Sequence, residues 1–293
     1  MTNFRKIITY AASSVCILGS GVYLKDHFIE KNTLKAAWTT SYEPSVKWDH
    51  NWDRRHPESL TKPNRRSSVG QNLVDQKNEN SEKKTTDDFE IGKKSSKASR
   101  HLFLIRHGQY EINAKDKDLM VLTPLGREQA ELTGIRLSEL TQNFKFNKIH
   151  HSTMIRAIET ADIIRTKLPK DIPVHVDPLL CEGAPIPPEP PVGHWKPEFY
   201  QFFQDGSRIE AAFRKYFFRA PPEQLEDSYE LVVCHANVIR YFFCRALQFP
   251  AEAWLRFGLN HGSITHIVIR PDGRVACKFL GESGYMPITK TSS

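Results

Sequence analysis

From residue 101 onward, short apolar runs alternate with longer stretches whose apolar positions recur at helical spacing. The runs Leu102–Ile105 and Leu231–Val233 are typical of strands buried on both faces of a parallel sheet. This alternation predicts an α/β fold in which a mostly parallel sheet carries helices on both faces. We predict strands at 102–105, 147–151, 173–176 and 230–234, helices at 124–142, 154–168, 206–219 and 238–247, and a hairpin at 263–269 and 274–280.

The N-terminal part of the chain has a different pattern. Residues 7–24 carry no charge and follow a basic pair, and their length is close to the shortest helix that spans a bilayer. A membrane anchor, a cleaved secretory signal and a mitochondrial targeting segment all fit this stretch, and we favour the anchor. Residues 61–97 are polar and mixed in charge, which predicts a flexible tether. The predicted organisation is an anchor at 1–24, a linker at 25–60, the tether at 61–97 and a globular domain at 98–293.

Composition narrows the classes of function. The chain has 293 residues and a net charge of +7 without a dense basic tract, so we expect no nucleic-acid partner. The cysteines are scattered and include no Cys-x-x-Cys pair, which argues against a disulfide framework and against a zinc site. No cluster has the spacing of metal ligands, so we expect neither a metal nor another cofactor. The cysteines are Cys16, Cys181, Cys234, Cys244 and Cys277.

Residues with reactive or charged side chains lie where predicted strands end. Arg106 and His107 follow the first strand directly. Arg156 falls in the first turn of the helix after the next strand, and His235 follows a later strand. Glu182 opens a proline-rich stretch that predicts an irregular covering loop. Because ligands bind beyond the carboxyl ends of parallel strands, these residues predict one shared site.

This set of residue types suits phosphoryl transfer. Arginine grips phosphate oxygens in a bidentate fork, and a neutral imidazole can attack phosphorus without a metal. A carboxyl group that protonates the leaving oxygen contributes about 10²–10⁴-fold to such a reaction. Each residue alone also has a structural explanation, because a lone histidine at a strand end more often serves packing. Their occurrence together, in this order, favours a phosphoryl-transfer site.

The combination resembles the histidine phosphatase superfamily, which contains the cofactor-dependent phosphoglycerate mutases. The residues that carry the resemblance are Arg106-His107-Gly108, Arg156 within Ser-x-x-x-Arg-Ala-x-Glu-Thr, Glu182 and His235. The resemblance covers about residues 100–281 and implies a three-layer fold like that of phosphoglycerate mutase. It implies that His107 is the nucleophile, that Glu182 is the proton donor, and that the phosphoryl oxygens are bound by Arg106, Arg156 and His235.

Departures from the mutase pattern favour a protein substrate. Mutases typically continue with Glu-Ser and carry a basic pair beyond the acid glutamate, whereas here Gln109 and Tyr110 follow and residues 183–191 hold no lysine or arginine. The resemblance is closest to a mitochondrial, membrane-anchored branch of serine/threonine protein phosphatases. It implies phosphoprotein substrates, the outer mitochondrial membrane as the favoured location, and a stress-activated kinase among the partners. A small-molecule phosphatase or mutase, and a membrane-tethered scaffold with an unused pocket, are the alternatives.

A tryptophan-containing hexapeptide lies in the predicted linker, at residues 48–53. Aromatic anchors of this kind tend to be interface hot spots, but they can also pack on their own domain or on lipid headgroups. The hexapeptide is similar to the Trp-Asp-x-Asn-Trp-Asp assembly motif of the same phosphatase branch. The resemblance implies a homo-oligomer assembled through Trp48, Asp49, Asn51, Trp52 and Asp53.

Overall fold

The computed structural model describes residues 46–60, 95–116, 120–193 and 195–293. The predicted anchor at 1–24 and residues 61–94 of the predicted tether therefore lie outside the described residues. Within the described ranges, no helix has both the length and the apolar character needed to cross a membrane. The chain divides into two compact units, Met1–Asp49 and His50–Ser293, and the second contains the sheet and its helices.

Six strands of the described region form one sheet: β1 Arg100–Arg106, β2 Lys148–His151, β3 Val174–Val176, β4 Ser228–Cys234, β5 Ile264–Ile269 and β6 Val275–Glu282. Their spatial order is β3-β2-β4-β1-β5-β6. The strands β1 to β4 pair in parallel, whereas β5 runs antiparallel to β1 and forms a hairpin with β6. The mostly parallel sheet and the hairpin predicted from the sequence are confirmed, and the structure places the hairpin at one edge of the sheet.

Four α-helices lie within the described residues: α1 Pro124–Leu140, α2 Ile155–Arg165, α3 Phe199–Tyr216 and α4 Ala236–Ala246. The start of α1 follows from its sequence, because the Thr123 side chain accepts from the Gly126 N–H at 3.0 Å and Pro124 occupies the first helical position. The helices predicted near 124–142, 154–168 and 238–247 are confirmed to within a few residues at each end.

The third helix begins two turns earlier than predicted, at Phe199 instead of Gly206. The side chain of Gln201 accepts from the backbone N–H of Glu198 at 2.8 Å, which caps the helix at that point. Gly206 lies inside the helix, where a Cβ atom would stand only 2.4 Å from the Pro185 carbonyl oxygen. The glycine therefore marks a packing contact with the covering loop and not the helix start.

Alternate residues of β1 face two separate apolar clusters. Leu102 and Leu104 pack in the cluster that includes residues of α3 and α4. Phe103 and Ile105 pack in the other cluster, which includes residues of α1 and α2. Because successive side chains of a strand point to opposite faces, the helices lie in pairs on the two faces of the sheet. The three-layer α/β class predicted from the sequence is confirmed.

The second half of the tryptophan hexapeptide packs on the sheet-containing unit to which it belongs. Trp52 donates from Nε1 to the Gly273 carbonyl oxygen at 2.8 Å, and its ring lies 6.0 Å from that of Phe213. Asp53 accepts from the guanidinium of Arg219 through both carboxylate oxygens, at 2.8 and 3.0 Å. Asn51 instead bonds within its own segment: its Nδ2 donates to Ser59 Oγ at 2.7 Å, and its Oδ1 accepts from the His56 N–H at 3.1 Å. Trp48 and Asp49 belong to the other unit, Met1–Asp49.

Candidate active site

The carboxyl ends of three adjacent parallel strands bring the predicted residues together. The strand β1 ends at Arg106 and is followed by His107, and β4 ends at Cys234 and is followed by His235. The centroids of the two imidazole rings are 5.1 Å apart. The strand β2, on the other side of β4, leads into α2, whose second residue is Arg156. The convergence expected from the strand ends is present.

Gly108 allows the start of α1 to pack closely against the chain after His107. A Cβ atom at this position would lie 2.3 Å from the carbonyl oxygen of Gly126, so a larger residue would force α1 away from the strand. The N–H of Gly108 donates to Thr160 Oγ1 at 3.0 Å. The threonine of the α2 segment therefore supports the loop that follows His107.

Hydrogen bonds select one tautomer of His107. Its Nδ1 lies 2.8 Å from the Gly108 carbonyl oxygen, which can only accept, so Nδ1 carries the proton. Nε2 then presents a lone pair and accepts from Arg156 Nε at 3.2 Å. Burial, followed by the charges of His235 and Arg156, lowers the pKa of His107 well below its usual value. His107 is thus a neutral imidazole with its nucleophilic lone pair on Nε2.

Arg106 is held by backbone and imidazole acceptors. One terminal nitrogen donates to the Leu259 carbonyl oxygen, and the other lies 3.0 Å from His261 Nε2. The Nε atom is buried and has no hydrogen-bond partner among the residues that the structure describes. Burial, followed by the charge of Arg240, lowers the pKa of Arg106 to about 10, which leaves the guanidinium charged at neutral pH. Its positive charge is available to a bound anion.

Arg156 contacts His107 and also lines the adjoining cavity. It donates from Nη2 to Met154 Sδ at 3.2 Å, and its guanidinium carbon lies 4.5 Å from the ring centre of Tyr110. Burial lowers the pKa of Arg156. Its place in the first turn of α2 adds the positive end of the helix dipole to the charge of the side chain. The result is a second guanidinium directed at the same histidine.

His235 has one engaged and one unpaired ring nitrogen. Its Nε2 lies 2.9 Å from Ser152 Oγ. Its Nδ1 is buried and finds no partner within the described part of the chain. Burial, followed by the charges of nearby arginines, lowers the pKa of His235 well below its usual value. Because an unpaired buried polar atom costs about 1–3 kcal/mol, this nitrogen indicates a place for a polar ligand.

Glu182 opens the irregular covering loop, as predicted. Its Oε1 accepts from the Gly183 N–H at 3.1 Å. Burial raises the pKa of Glu182, and this effect outweighs the opposing influence of that N–H and of the two site arginines. Arg208 holds the start of the loop by donating to the carbonyl oxygen of Glu182 at 3.1 Å. A carboxyl with a raised pKa keeps its proton at higher pH and can serve as a general acid.

A cavity of about 670 Å³ adjoins these residues and has the size of a ligand site. Arg156 and Glu182 line it, together with Trp195 and Lys196 from the covering loop. Lys196 is a cation that lies beyond residues 183–191, the stretch that lacks the basic pair typical of mutases. Within the described ranges, no group of three or more His, Cys, Asp and Glu side chains is arranged to hold a metal ion.

The sequence patterns assigned no role in the site to Tyr110, Asn237 or His261. Tyr110 packs edge-on against His107, with ring centroids 5.1 Å apart. Asn237 donates from Nδ2 to the Gly183 carbonyl oxygen at 3.1 Å and so connects α4 to the covering loop. His261 lies 5.7 Å from His107, ring centre to ring centre. Asn237 stands two residues after His235 in the sequence, and this position could have indicated it. No local pattern indicates His261, because it is 155 residues away from its partner Arg106.

The fold and this site define a class of protein. The sequence matches the family model of the histidine phosphatase superfamily (branch 1) over residues 102–184 and 195–280. The protein therefore belongs to the histidine phosphatase superfamily, as the resemblance predicted.

Similar proteins give a finer comparison. The mitochondrial serine/threonine-protein phosphatase PGAM5 of Homo sapiens is 54% identical over 255 residues, which cover 87% of this chain and 83% of that protein. The mitochondrial serine/threonine-protein phosphatase Pgam5 of Drosophila persimilis is 50% identical over 279 residues, 92% of each chain. A crystal structure of phosphoglycerate mutase from Plasmodium falciparum has 35% sequence identity, covers 63% of this chain and 91% of its own, and has a TM-score of 0.46.

Proposed function

We propose that this protein hydrolyses phosphoserine and phosphothreonine in protein substrates through a phosphohistidine on His107. The observation that carries the proposal is a neutral, buried imidazole with its Nε2 lone pair directed at Arg156 and with Arg106 beside it in the chain. Attack on a phosphoryl group requires these components: a neutral nucleophile, and positive charge beside it to stabilise the phosphoryl oxygens. The printed names of relatives that are 50–54% identical support the serine/threonine phosphatase class.

In the first step, His107 Nε2 forms a bond to phosphorus while the bond from phosphorus to the seryl or threonyl oxygen breaks. Arg106 and Arg156 stabilise the charge on the equatorial oxygens, and the unpaired Nδ1 of His235 binds the same group. Glu182 gives its proton to the leaving oxygen, which departs as a neutral hydroxyl. Because Arg156 Nε now occupies the Nε2 lone pair, its guanidinium must move onto the phosphoryl oxygens when substrate enters.

In the second step, water attacks the phosphorus of the phosphohistidine. Glu182, which is ionised after the first step, accepts a proton from this water. The bond between phosphorus and Nε2 breaks, and inorganic phosphate leaves with His107 restored to its starting tautomer. The Gly108 carbonyl oxygen holds the proton of Nδ1 in place through both steps, so that Nε2 remains the reacting atom.

The preference for a protein substrate rests on the walls of the site. Tyr110 packs on both His107 and Arg156, in the segment where mutases have Glu-Ser. The cavity beside Arg156 has an aromatic wall at Trp195, which suits the side chains that flank a phosphorylated residue in a peptide. A compact, highly charged phosphoglycerate would leave this wall without a contact.

The test compares a phosphothreonine peptide with 3-phosphoglycerate as substrates of the full-length protein. We expect turnover of the peptide, and a loss of at least about 10⁴-fold in kcat for His107→Ala. The control is His175→Ala, because His175 is exposed on the edge strand β3. Turnover of 3-phosphoglycerate alone would contradict the protein-phosphatase proposal, and full cellular function of His107→Ala would favour a scaffold.

We also propose that the hexapeptide at residues 48–53 assembles copies of this chain, as the resemblance implies. Within one chain, Trp52 and Asp53 fit a prepared surface that includes Phe213, Arg219 and Gly273. The same surface on another copy offers identical contacts, so exchange between copies requires no new chemistry. Trp52→Ala should lower both the oligomer mass in size exclusion and the activity. An unchanged mass would contradict this part of the proposal.

The proposed location is a mitochondrial membrane, with the outer membrane favoured and residues 1–24 as a single-pass anchor. Support comes from the uncharged run at 7–24 and from relatives whose names include mitochondrial. A chain tagged at its C-terminus should fractionate with mitochondrial membranes, resist carbonate extraction, and lose its tag to protease added to intact mitochondria. Deletion of residues 1–24 should release it. A protected tag would contradict the outer-membrane assignment.

A stress-activated kinase is the proposed signalling partner, on the basis of the resemblance. A phosphatase that acts on such a kinase should leave it more phosphorylated when the nucleophile is missing. Cells in which His107→Ala replaces the wild type should therefore show higher phosphorylation of the kinase after stress. Equal phosphorylation in both cell lines would remove this partner from the proposal.

A further inference from the structure

His261 contacts Arg106 from the loop that leads into β5. Its Nε2 lies 3.0 Å from Nη2 of Arg106, and Nε2 must accept because arginine can only donate. The proton of the neutral ring therefore sits on Nδ1, which donates to Ser292 Oγ at 3.0 Å. The backbone N–H of His261 donates to the Ser292 carbonyl oxygen at 2.8 Å. Ser292 thus holds His261 in one tautomer and in one position.

These contacts fix the orientation of the Arg106 guanidinium. The Leu259 carbonyl oxygen accepts from one terminal nitrogen and His261 accepts from the other. Because the guanidinium is planar, two fixed terminal nitrogens also fix the direction of the Nε–H, which is buried and unpaired among the described residues. Burial, followed by the charge of Arg106, lowers the pKa of His261 to about 3, so the ring stays an acceptor at neutral pH.

Ser292 also supports Gln109, the residue that follows the His107-Gly108 pair. Gln129 donates from Nε2 to Ser292 Oγ at 2.9 Å and to the Lys290 carbonyl oxygen at 2.8 Å. The Oε1 of Gln129 accepts from the N–H of Gln109 at 2.8 Å. Arg106 and Gln109, which flank the pair, are therefore each joined to Ser292 through a single bridging side chain. The hydroxyl of Ser292 is the common support of both.

We propose that His261 is a positioning residue for phosphate: it accepts from Arg106 and, anchored by Ser292, aims the guanidinium at the phosphoryl oxygens. The inference rests on the phosphate-binding role proposed for Arg106. A misplacement of about 1 Å in such a group costs up to about 10²-fold in rate, so the loss of one supporting hydrogen bond is measurable. His261 itself touches neither substrate nor the reacting atoms in this account.

The experiment measures the inhibition constant of inorganic phosphate and the kcat/KM for a phosphothreonine peptide in four full-length variants. His261→Leu should weaken phosphate inhibition and lower kcat/KM by about 10–10²-fold, because the acceptor for Arg106 is gone. His261→Gln keeps an acceptor oxygen and should recover most of the loss. Ser292→Ala should fall between them. His175→Leu, a matched change on the edge strand β3, should equal the wild type.

The outcomes separate positioning from packing. A purely structural role would lower the thermal midpoint of His261→Leu and leave its phosphate inhibition constant unchanged, which would overturn the inference. The inference also fails if His261→Gln behaves like His261→Leu. Should His261→Leu not fold, Ser292→Ala decides, because it removes only a hydroxyl: an unchanged inhibition constant there contradicts the proposal. Absence of turnover of the phosphothreonine peptide by the wild type would instead refute the proposed function on which the inference rests.

Discussion

Among the residues that the structure describes, buried arginines near Asp53 and in the candidate active site differ in how their charge is paired. Arg219 meets the carboxylate of Asp53 in a two-pronged ion pair, with only 3% and 1% of the two side chains exposed. Burial alone would raise the pKa of Asp53, but the hydrogen bonds from Arg219 hold it below the usual value. In the candidate active site, Arg106 and Arg156 donate to a carbonyl oxygen, imidazole nitrogens and a thioether.

The difference distinguishes an arginine that stabilises the fold from one whose charge is available to an anion. A guanidinium that is neutralised by a carboxylate contributes to the folded state and has little attraction left for an anion. A guanidinium that is buried against neutral acceptors carries a desolvation cost, which a phosphate dianion can offset when it binds. The lowered pKa values of Arg106 and Arg156, caused first by burial, report that cost. Burial of a cation without a carboxylate is therefore the physical signature of this site.

The largest expected effect is on the stability of the paired region. Asp53→Ala leaves Arg219 buried without its partner and should cost about 3–5 kcal/mol in the free energy of unfolding, measured in urea. The control is Asp272→Ala, because Asp272 pairs with Arg274 in an ion pair whose side chains are 44% and 65% exposed. Such a pair contributes about 0–1 kcal/mol. Equal losses in the two variants would remove the distinction between the regions.

The second expected effect is on activity, and the variant should leave stability unchanged. Arg156→Leu should lower kcat/KM for a phosphopeptide by about 10²–10³-fold, since the guanidinium proposed to stabilise transition-state charge is lost. Its thermal midpoint should not fall, because the variant also removes a buried charge that lacks a carboxylate partner. Arg165→Leu on the same helix is the control, as Arg165 is 42% exposed and pairs with Asp162. A lower midpoint with unchanged kcat/KM would show that Arg156 is structural.

The smallest effect is the dependence of activity on pH. A histidine with a pKa of about 6.5 would lose about tenfold of its neutral form between pH 7.5 and pH 5.5. The pKa of His107 is lowered, first by burial, so activity should persist at pH 5.5. The pKa of Glu182 is raised, so activity should decline on the alkaline side as this acid loses its proton.

Two results would contradict this account of the pH profile. In Glu182→Gln, which cannot titrate, the alkaline decline should vanish at a lower overall rate, and its persistence would show that another group is the acid. A tenfold loss of wild-type kcat/KM at pH 5.5 would show that His107 titrates normally in the free enzyme. The profile therefore tests both reacting groups in one series of assays.

Local sequence order made most of the site predictable. Arg106, His107 and His235 stand directly after apolar strands, and parallel strands bring their carboxyl ends to one edge of a sheet. The same rule predicted the position of Arg156, because this residue is the second of the helix that follows β2. Neighbours along the chain were thus enough to place the groups proposed to meet the phosphoryl group.

Contacts between distant segments could not be predicted. Asp53 and Arg219 are 166 residues apart, and no local pattern links an acidic residue in a linker to an arginine beyond α3. His261 reaches Arg106 only because β5 runs antiparallel beside β1, a pairing that the hairpin pattern did not specify. The early start of α3 depends on a cap at Glu198 that the proline-rich stretch before it obscured. Supporting contacts of this kind depend on the assembled fold.

The most direct test of the central claim is to trap the phosphorylated enzyme. The full-length protein is mixed with a radiolabelled phosphothreonine peptide, quenched within milliseconds to seconds, and digested for mass spectrometry under alkaline conditions that preserve phosphohistidine. We expect acid-labile label on the peptide that contains His107, and no label in His107→Ala. Release of phosphate from the peptide with no label on His107, or with label on another residue, would contradict it.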